Sequence, residues 1–180
     1  MYIVEATISF EAAHRLYDVD TYSKECRDSV HGHSYKVRVK VGRSKLNDAG
    51  MVVDFKYLKT IMKVIEDKYD HSIILRTTDP LVDAFRNLAP EQKLNVVVDS
   101  PTAEWMSEVF YNQIADELSA IDSELVVISA SVQETEKNIA TYNPMMPCVA
   151  TKEESEATVL RQQLQSQFYT PVENGGAIPV

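Results

Sequence analysis

Histidine, cysteine, glycine and tryptophan are all scarce in this chain. Its 180 residues hold 4 histidines, 2 cysteines, 5 glycines and 1 tryptophan. Two cysteines, Cys26 and Cys148, are too few for a disulfide framework, so both are expected as reduced thiols and the expected location is cytoplasmic. So few glycines, with only 7 prolines, exclude a low-complexity chain. No apolar run approaches ~18 residues, so no membrane span is expected. The opening Met1-Tyr2-Ile3-Val4-Glu5 lacks the basic and apolar regions of a secretory signal. Basic charge is short as well. A net charge of −9 argues against a general nucleic-acid surface, and an anionic ligand would need a local basic pocket. What is present is ordinary for a soluble domain: 44% hydrophobic and 25% charged residues, enough for one core.

Two periodicities organise that core. Ile3, Ala6, Ile8 and Phe10 alternate with polar residues over 2–10, and Tyr35, Val37, Val39 and Val41 do so over 33–42, so both segments read as strands. His33 falls with the polar positions Lys36, Arg38 and Lys40 if a bulge shifts the face near Ser34. Residues 17–30 read as a loop, and Asn47-Asp48-Ala49-Gly50 as a turn. Asp54 then caps a helix over about 55–68, with Phe55, Leu58, Ile61, Met62 and Ile65 at helical spacing. After an irregular stretch over 76–93, with one helical turn around Leu81–Phe85, residues 94–98 form a short strand. Asp99-Ser100-Pro101 opens a helix to about 120 that buries Trp105, Val109, Ile114 and Leu118 or near neighbours. Residues 125–134 make the last strong strand. This order predicts an α+β fold, with helices on one face of a mostly antiparallel sheet. Beyond Pro144 the pattern weakens to a polar helix over 152–168 with a thin stripe of Val159, Leu164 and Phe168, then a loose tail.

The scarce histidines are concentrated. His14 ends the first strand, and His31 and His33 stand two apart at the start of the second, so the latter two imidazoles share a side of the sheet. Neutral imidazole is a common zinc ligand, and three protein ligands with one open position is the pattern of catalytic zinc. The plainer reading is three hydrogen-bonded polar side chains beside a loop. Cys26 lies between Lys24 and Arg27, which favour a thiolate able to act as base or nucleophile; otherwise it is a small loop residue. Asp70-His71 reads as an acid–base pair if an irregular turn follows the helix, or else as a helix-terminal histidine. Thr102 and Glu104 read first as helix capping. Glu134, ending an apolar strand, is a solvated strand end or an anchor for a guanidine-like edge.

These phrases run in one order over about residues 2–142: Phe10-Glu-Ala-Ala-His14-Arg15-Leu16, Cys26, His31-Gly32-His33-Ser34-Tyr35, Gly50-Met51-Val52-Val53-Asp54-Phe55, Asp70-His71, Pro101-Thr102-Ala103-Glu104 and Gln133-Glu134-Thr135. Together they resemble the 6-pyruvoyltetrahydropterin synthase / 6-carboxytetrahydropterin synthase family. The resemblance implies a tunnelling fold (T-fold) domain over 1–143, with 144–180 as an appended, partly helical or loosely ordered extension. In that fold a four-stranded antiparallel sheet carries two helices between its second and third strands. Subunits close a barrel as trimers, two trimers stack as a homohexamer, and active sites lie between subunits.

By the same resemblance, His14, His31 and His33 would hold Zn2+, and Cys26 would be the general base. His71 would be a second acid–base group in a relay with Asp70 and Glu134. Glu134 would also anchor the pterin, with Thr102 and Glu104 nearby. Arg15, Lys24 and Arg27 are candidates for the triphosphate of the substrate, 7,8-dihydroneopterin triphosphate, and Glu25 is the alternative base. The expected reaction is that of a 6-carboxytetrahydropterin synthase in queuosine/7-deazaguanine synthesis, releasing acetaldehyde and triphosphate. The alternatives are a pyruvoyl-type synthase and a non-catalytic pterin- or purine-binding protein. The Cys26–His31 loop is intermediate in length between the carboxy-type and pyruvoyl-type members.

Overall fold

The architecture is that of a computed structural model, which describes residues 1–21 and 23–145. The expected helix over 152–168 and Cys148 lie outside the described residues. Two 13-residue strands form the spine, β1 (Tyr2–His14) and β2 (His31–Arg43). They pair antiparallel without interruption from Tyr2↔Arg43 to His14↔His31. Between them stands a short helix, α1 (Lys24–Asp28), within the stretch read as loop. α2 (Phe55–Tyr69), β3 (Ser72–Arg76), α3 (Leu81–Leu88), β4 (Leu94–Val97), α4 (Ala103–Ile121), β5 (Val126–Gln133) and β6 (Ile139–Tyr142) follow.

The sheet order is β4-β3-β1-β2-β5-β6. Its antiparallel part, β1-β2-β5-β6, is the expected four-stranded sheet, and α2 and α4 fall between its second and third strands. β3 and β4 extend it beyond β1 in parallel register. The alternation also sets the faces. Ala6, Ile8, Phe10, Ala12 and His14 are buried beneath the helices, as are Tyr35, Val37, Val39 and Val41. His31 and His33 share the phase of Tyr35, so the face change expected near Ser34 does not occur. The register shift in β2 lies instead at Lys40/Val41, against β5. Ile3 takes the opposite phase and is 53% exposed.

α2 is started by Asp54, whose carboxylate accepts from Lys56 N at 2.7 Å. The turn before it is closed by the Asn47 side chain, which accepts from the Ala49 and Met51 N–H groups, with Gly50 at φ 75°. Leu58, Ile61, Met62, Ile65 and Tyr69 form its buried stripe, while Phe55 is exposed. α4 buries Ala103, Met106, Ser107, Phe110, Ile114 and Leu118; Trp105 and Val109 pack at the margin. Helix rows meet sheet at an aromatic knot, where Phe10 stacks on Tyr35 at 5.2 Å and meets Phe110 edge-on at 6.3 Å. Emptying that knot by Phe110→Ala would remove about 3–5 kcal/mol. The knot backs directly onto the histidine end of the hairpin.

Candidate active site

The hairpin register delivers the histidines. His14 faces His31 across the strands, and His33 follows on the same face, so their rings converge with centroids 4.6–5.1 Å apart. His14 is 1% exposed, and its Nδ1 lies 2.7 Å from Pro101 O at the start of α4. Nδ1 of His31 lies 3.0 Å from Ser29 O. A carbonyl only accepts, so both Nδ1 atoms carry the proton, and in the neutral form of each ring Nε2 presents its lone pair inward. Those two Nε2 atoms stand 3.1 Å apart. Two facing lone pairs repel, and a shared cation removes the repulsion. The spacing is close to the ~3.3 Å expected between two nitrogens on one tetrahedral zinc.

Two further observations fit a metal. Nε2 of His33 is buried without a hydrogen-bond partner, and one ligand atom from each of His14, His31 and His33 lies within 4.8 Å of the others. Burial, chiefly by desolvation, pulls the His14 pKa down to about 4 against the pull of Pro101 O, and the His33 pKa is also lowered mainly by burial. Both rings are therefore neutral at pH 7, the form that ligates. Below them lies Tyr35, 0% exposed, its hydroxyl also without a partner and its pKa pushed up by burial. The sequence marks Tyr35 only as a core position; its neighbourhood with His33, ring centroids 5.5 Å apart, depends on the fold.

Glu134 joins this cluster. It opens the β5–β6 turn, where its N–H donates to Asn138 O, and its Oε1 lies 3.4 Å from His14 Nε2 and 3.6 Å from His33 Nε2. Thr102 and Glu104 start α4 just after the carbonyl that holds His14. Thr102 Oγ1 accepts from Trp105 N at 3.2 Å, as a cap. Cys26 is part-exposed in α1, which is tied to the end of β1 by Leu16 N–H to Cys26 O at 2.9 Å. The neighbouring Glu25 carboxylate, held low mainly by a backbone N–H and the Ser23 hydroxyl, is exposed.

Asp70 and His71 are built at a different place. Asp70 ends α2, and His71 follows at φ 57°. Asp70 Oδ1 accepts from Glu11 N at 2.9 Å and Oδ2 lies 2.7 Å from His71 Nδ1. The Glu11 N–H, then His71, hold the Asp70 carboxyl below its usual range. The irregular turn that the acid–base reading needs is therefore present. The His71 side chain is 82% exposed and borders a cleft of about 330 Å³ with Glu11, Ala13, Gly32 and Ser34, and His33 also lines it. Glu11 and Ser34 alternate with the buried positions, so this cleft opens on the sheet face away from the helices. Among the described residues of one chain, no hydrogen bond or ion pair joins Asp70–His71 to Glu134.

The basic candidates separate. Arg15 is committed to Asp79: Nε donates to Oδ2 at 2.8 Å, a second guanidinium nitrogen meets Oδ1, and Asp79 is buried. Its charge is thereby met within the chain by a buried carboxylate. Asp79 also accepts from Leu81 N, and Asp79-Pro80 before Leu81 is a helix-start signal that sequence reading passed over. Arg27 pairs with Asp28 at the surface.

Known proteins give this geometry a context. The profile described as "6-pyruvoyl tetrahydropterin synthase" matches residues 3–145. The chain belongs to that enzyme family. Among its curated relatives, a protein of Aquifex aeolicus named 6-carboxy-5,6,7,8-tetrahydropterin synthase is 29% identical over 155 residues, covering 77% of this chain and 96% of the relative. A Halobacterium salinarum protein named a probable synthase of the same kind is 35% identical over 71% of this chain and 77% of its own length. Among solved structures, 6-pyruvoyl tetrahydropterin synthase of Caenorhabditis elegans aligns with TM-score 0.57 and 26% identity, over 79% of this chain and 94% of that one. An uncharacterized protein of Wolinella succinogenes aligns with TM-score 0.68 at 22% identity over 79% and 98%, a likeness of fold. The family's fold therefore spans the described core of this chain.

Proposed function

We propose that the chain is a zinc-dependent 6-carboxy-5,6,7,8-tetrahydropterin synthase. It converts 7,8-dihydroneopterin triphosphate to 6-carboxytetrahydropterin, acetaldehyde and triphosphate, as a cytoplasmic step of 7-deazaguanine synthesis. The observation that carries this reading is the tripod of imidazoles, buried at His14 and half-buried at His31 and His33, whose free nitrogens converge. The names of the curated relatives support the carboxy product.

His14, His31 and His33 would hold zinc, which would supply a Lewis acid for the substrate's side-chain hydroxyls. Cys26, as thiolate, removes a carbon-bound proton beside the electron-poor dihydropterin ring, and Glu25 is the alternative base. Glu134 accepts paired hydrogen bonds from the guanidine-like edge of the pterin, with Thr102 and Glu104 beside it. Asp70 holds the His71 Nδ1 proton, so His71 Nε2 is free to take and return a proton at a substrate hydroxyl. Lys24 remains a candidate for the triphosphate.

Most of the cleft beside His71 (Glu11, Ala13, Gly32 and Ser34) is out of phase with the histidine tripod of the same chain, and only His33 borders both. In this reading His71 of one subunit meets the tripod of another across a shared site. This supports a homohexamer whose sheets close a barrel through the outer strands β4 and β6, with the T-fold domain at 1–143 and 144–180 as an appendage.

A second reading, the pyruvoyl product, is favoured by the family description and the C. elegans relative. Mass spectrometry of products from zinc-loaded protein and 7,8-dihydroneopterin triphosphate decides between them. A 6-carboxy product with acetaldehyde is expected; a 6-pyruvoyl product would overturn the carboxy reading. Substrate binding without turnover would instead favour a pterin-binding protein.

A further inference from the structure

A helix ends with carbonyls that lack intrahelical partners, and most are left to water. At the end of α2 each one is met by protein. Lys68 O accepts from Asn95 Nδ2 at 3.0 Å, and Tyr69 O from the Ser72 hydroxyl. The two remaining carbonyls, Asp67 O and Asp70 O, share one donor. Lys93 Nζ lies 2.6 Å from each. The backbone of Lys93 reaches the other side of the turn, where its carbonyl accepts from Ile73 N at 2.9 Å. One residue therefore grips Asp70 and Ile73, and His71 lies between them.

That grip falls where it matters. His71 adopts a left-handed conformation, φ 57°, that few non-glycine residues take up and that its surroundings help to hold. Its ring is largely exposed, and its only hydrogen bond among the described residues is to Asp70. The turn, and not packing around the ring, sets where the imidazole points. An ammonium at the negative end of the helix dipole also suits its site.

We infer that Lys93 is a positioning residue for the Asp70–His71 pair, bridging the Asp67 and Asp70 carbonyls so that the turn presents the imidazole to the substrate. The inference rests on the reading of that pair as the acid–base group. Lys93 is exposed and its side chain touches neither the histidine tripod nor Glu134 through any hydrogen bond, so its removal leaves the metal site intact.

The test compares zinc-loaded Lys93→Met, Lys93→Arg and His71→Asn at saturating 7,8-dihydroneopterin triphosphate. Lys93→Met is expected to lower kcat about tenfold or more, the scale of a small misplacement of a reacting group. Zinc content and KM should stay at wild-type values, and exchange of the His71 amide, which donates to Glu11 O at 2.7 Å, should quicken. Lys93→Arg, which can still donate to both carbonyls, should restore most of kcat. His71→Asn should be nearly inactive. Full kcat in Lys93→Met beside an inactive His71→Asn would overturn the role of Lys93 alone. Full kcat in His71→Asn would overturn the acid–base reading and this inference with it. A Lys93→Met defect that Arg leaves unrescued, with a lowered Tm, would reduce Lys93 to a helix cap.

Discussion

The tripod and the acid–base turn are built by opposite means. His14, His31 and His33 sit on the helix-covered face of the two longest strands, and two of them are tethered through Nδ1 to backbone carbonyls. His71 stands in solvent at a helix end, held by one carboxylate and by a turn that Lys93, just before β4, clamps. The contrast follows from chemistry. A metal ligand must be neutral, dry and fixed, so burial serves it. A proton carrier must reach the substrate and exchange its proton, so exposure serves it.

The largest effect expected on this contrast comes from His31→Ala. Zinc content and turnover should vanish together, measured by elemental analysis and product formation; full zinc occupancy would remove the tripod from the account. Acid should act next, and on the buried side. In metal-free protein the His14 pKa is about 4 in the fold and 6.5 when unfolded. As pH falls below 6.5 the unfolded chain takes up a proton that the folded chain refuses. Stability is therefore lost between 6.5 and about 4, by ~3 kcal/mol from this one group. Urea unfolding across that range measures it, and zinc should suppress the slope near neutrality. The smallest effect sharpens the assignment of Thr102. Thr102→Ala should lower stability by about 1 kcal/mol through the lost cap at Trp105 N. A rise in KM beyond that would add a substrate contact, and an unchanged KM would leave Thr102 as a cap.

The same contrast explains what the sequence reveals. Alternation along 2–10 and 33–42 is a local signal, and it places His14 opposite His31 once the two strands pair. Helical spacing locates α2 and α4, although Phe55, Trp105 and Val109 fall at or beyond the edge of the buried stripes, because a hydrophobic period defines a face only to within a residue or so. The region between residues 72 and 97 is harder to read. Ser72-Ile-Ile-Leu-Arg76 is too short to show a period, and it becomes a strand only by pairing in parallel with β1 and β4. The clamp on His71 joins residues 23 and 26 positions apart, through a lysine in what reads as a plain polar stretch. The buried Asp79 is hidden in the same way, since its half-buried partner Arg15 lies 64 positions earlier. The tripod is legible because neighbouring strands carry it; the turn is recognised by its Asp-His pair while its support is not.

The most direct test of the account mixes its two halves. His31→Ala lacks the tripod and His71→Asn lacks the proton carrier, so each alone should be inactive. Co-expressed with different tags and purified as mixed oligomers, they should regain turnover, because the intact turn of one subunit meets the intact tripod of another. Mixed oligomers that form and still show no activity would contradict the claim that the two faces of this sheet serve one shared site.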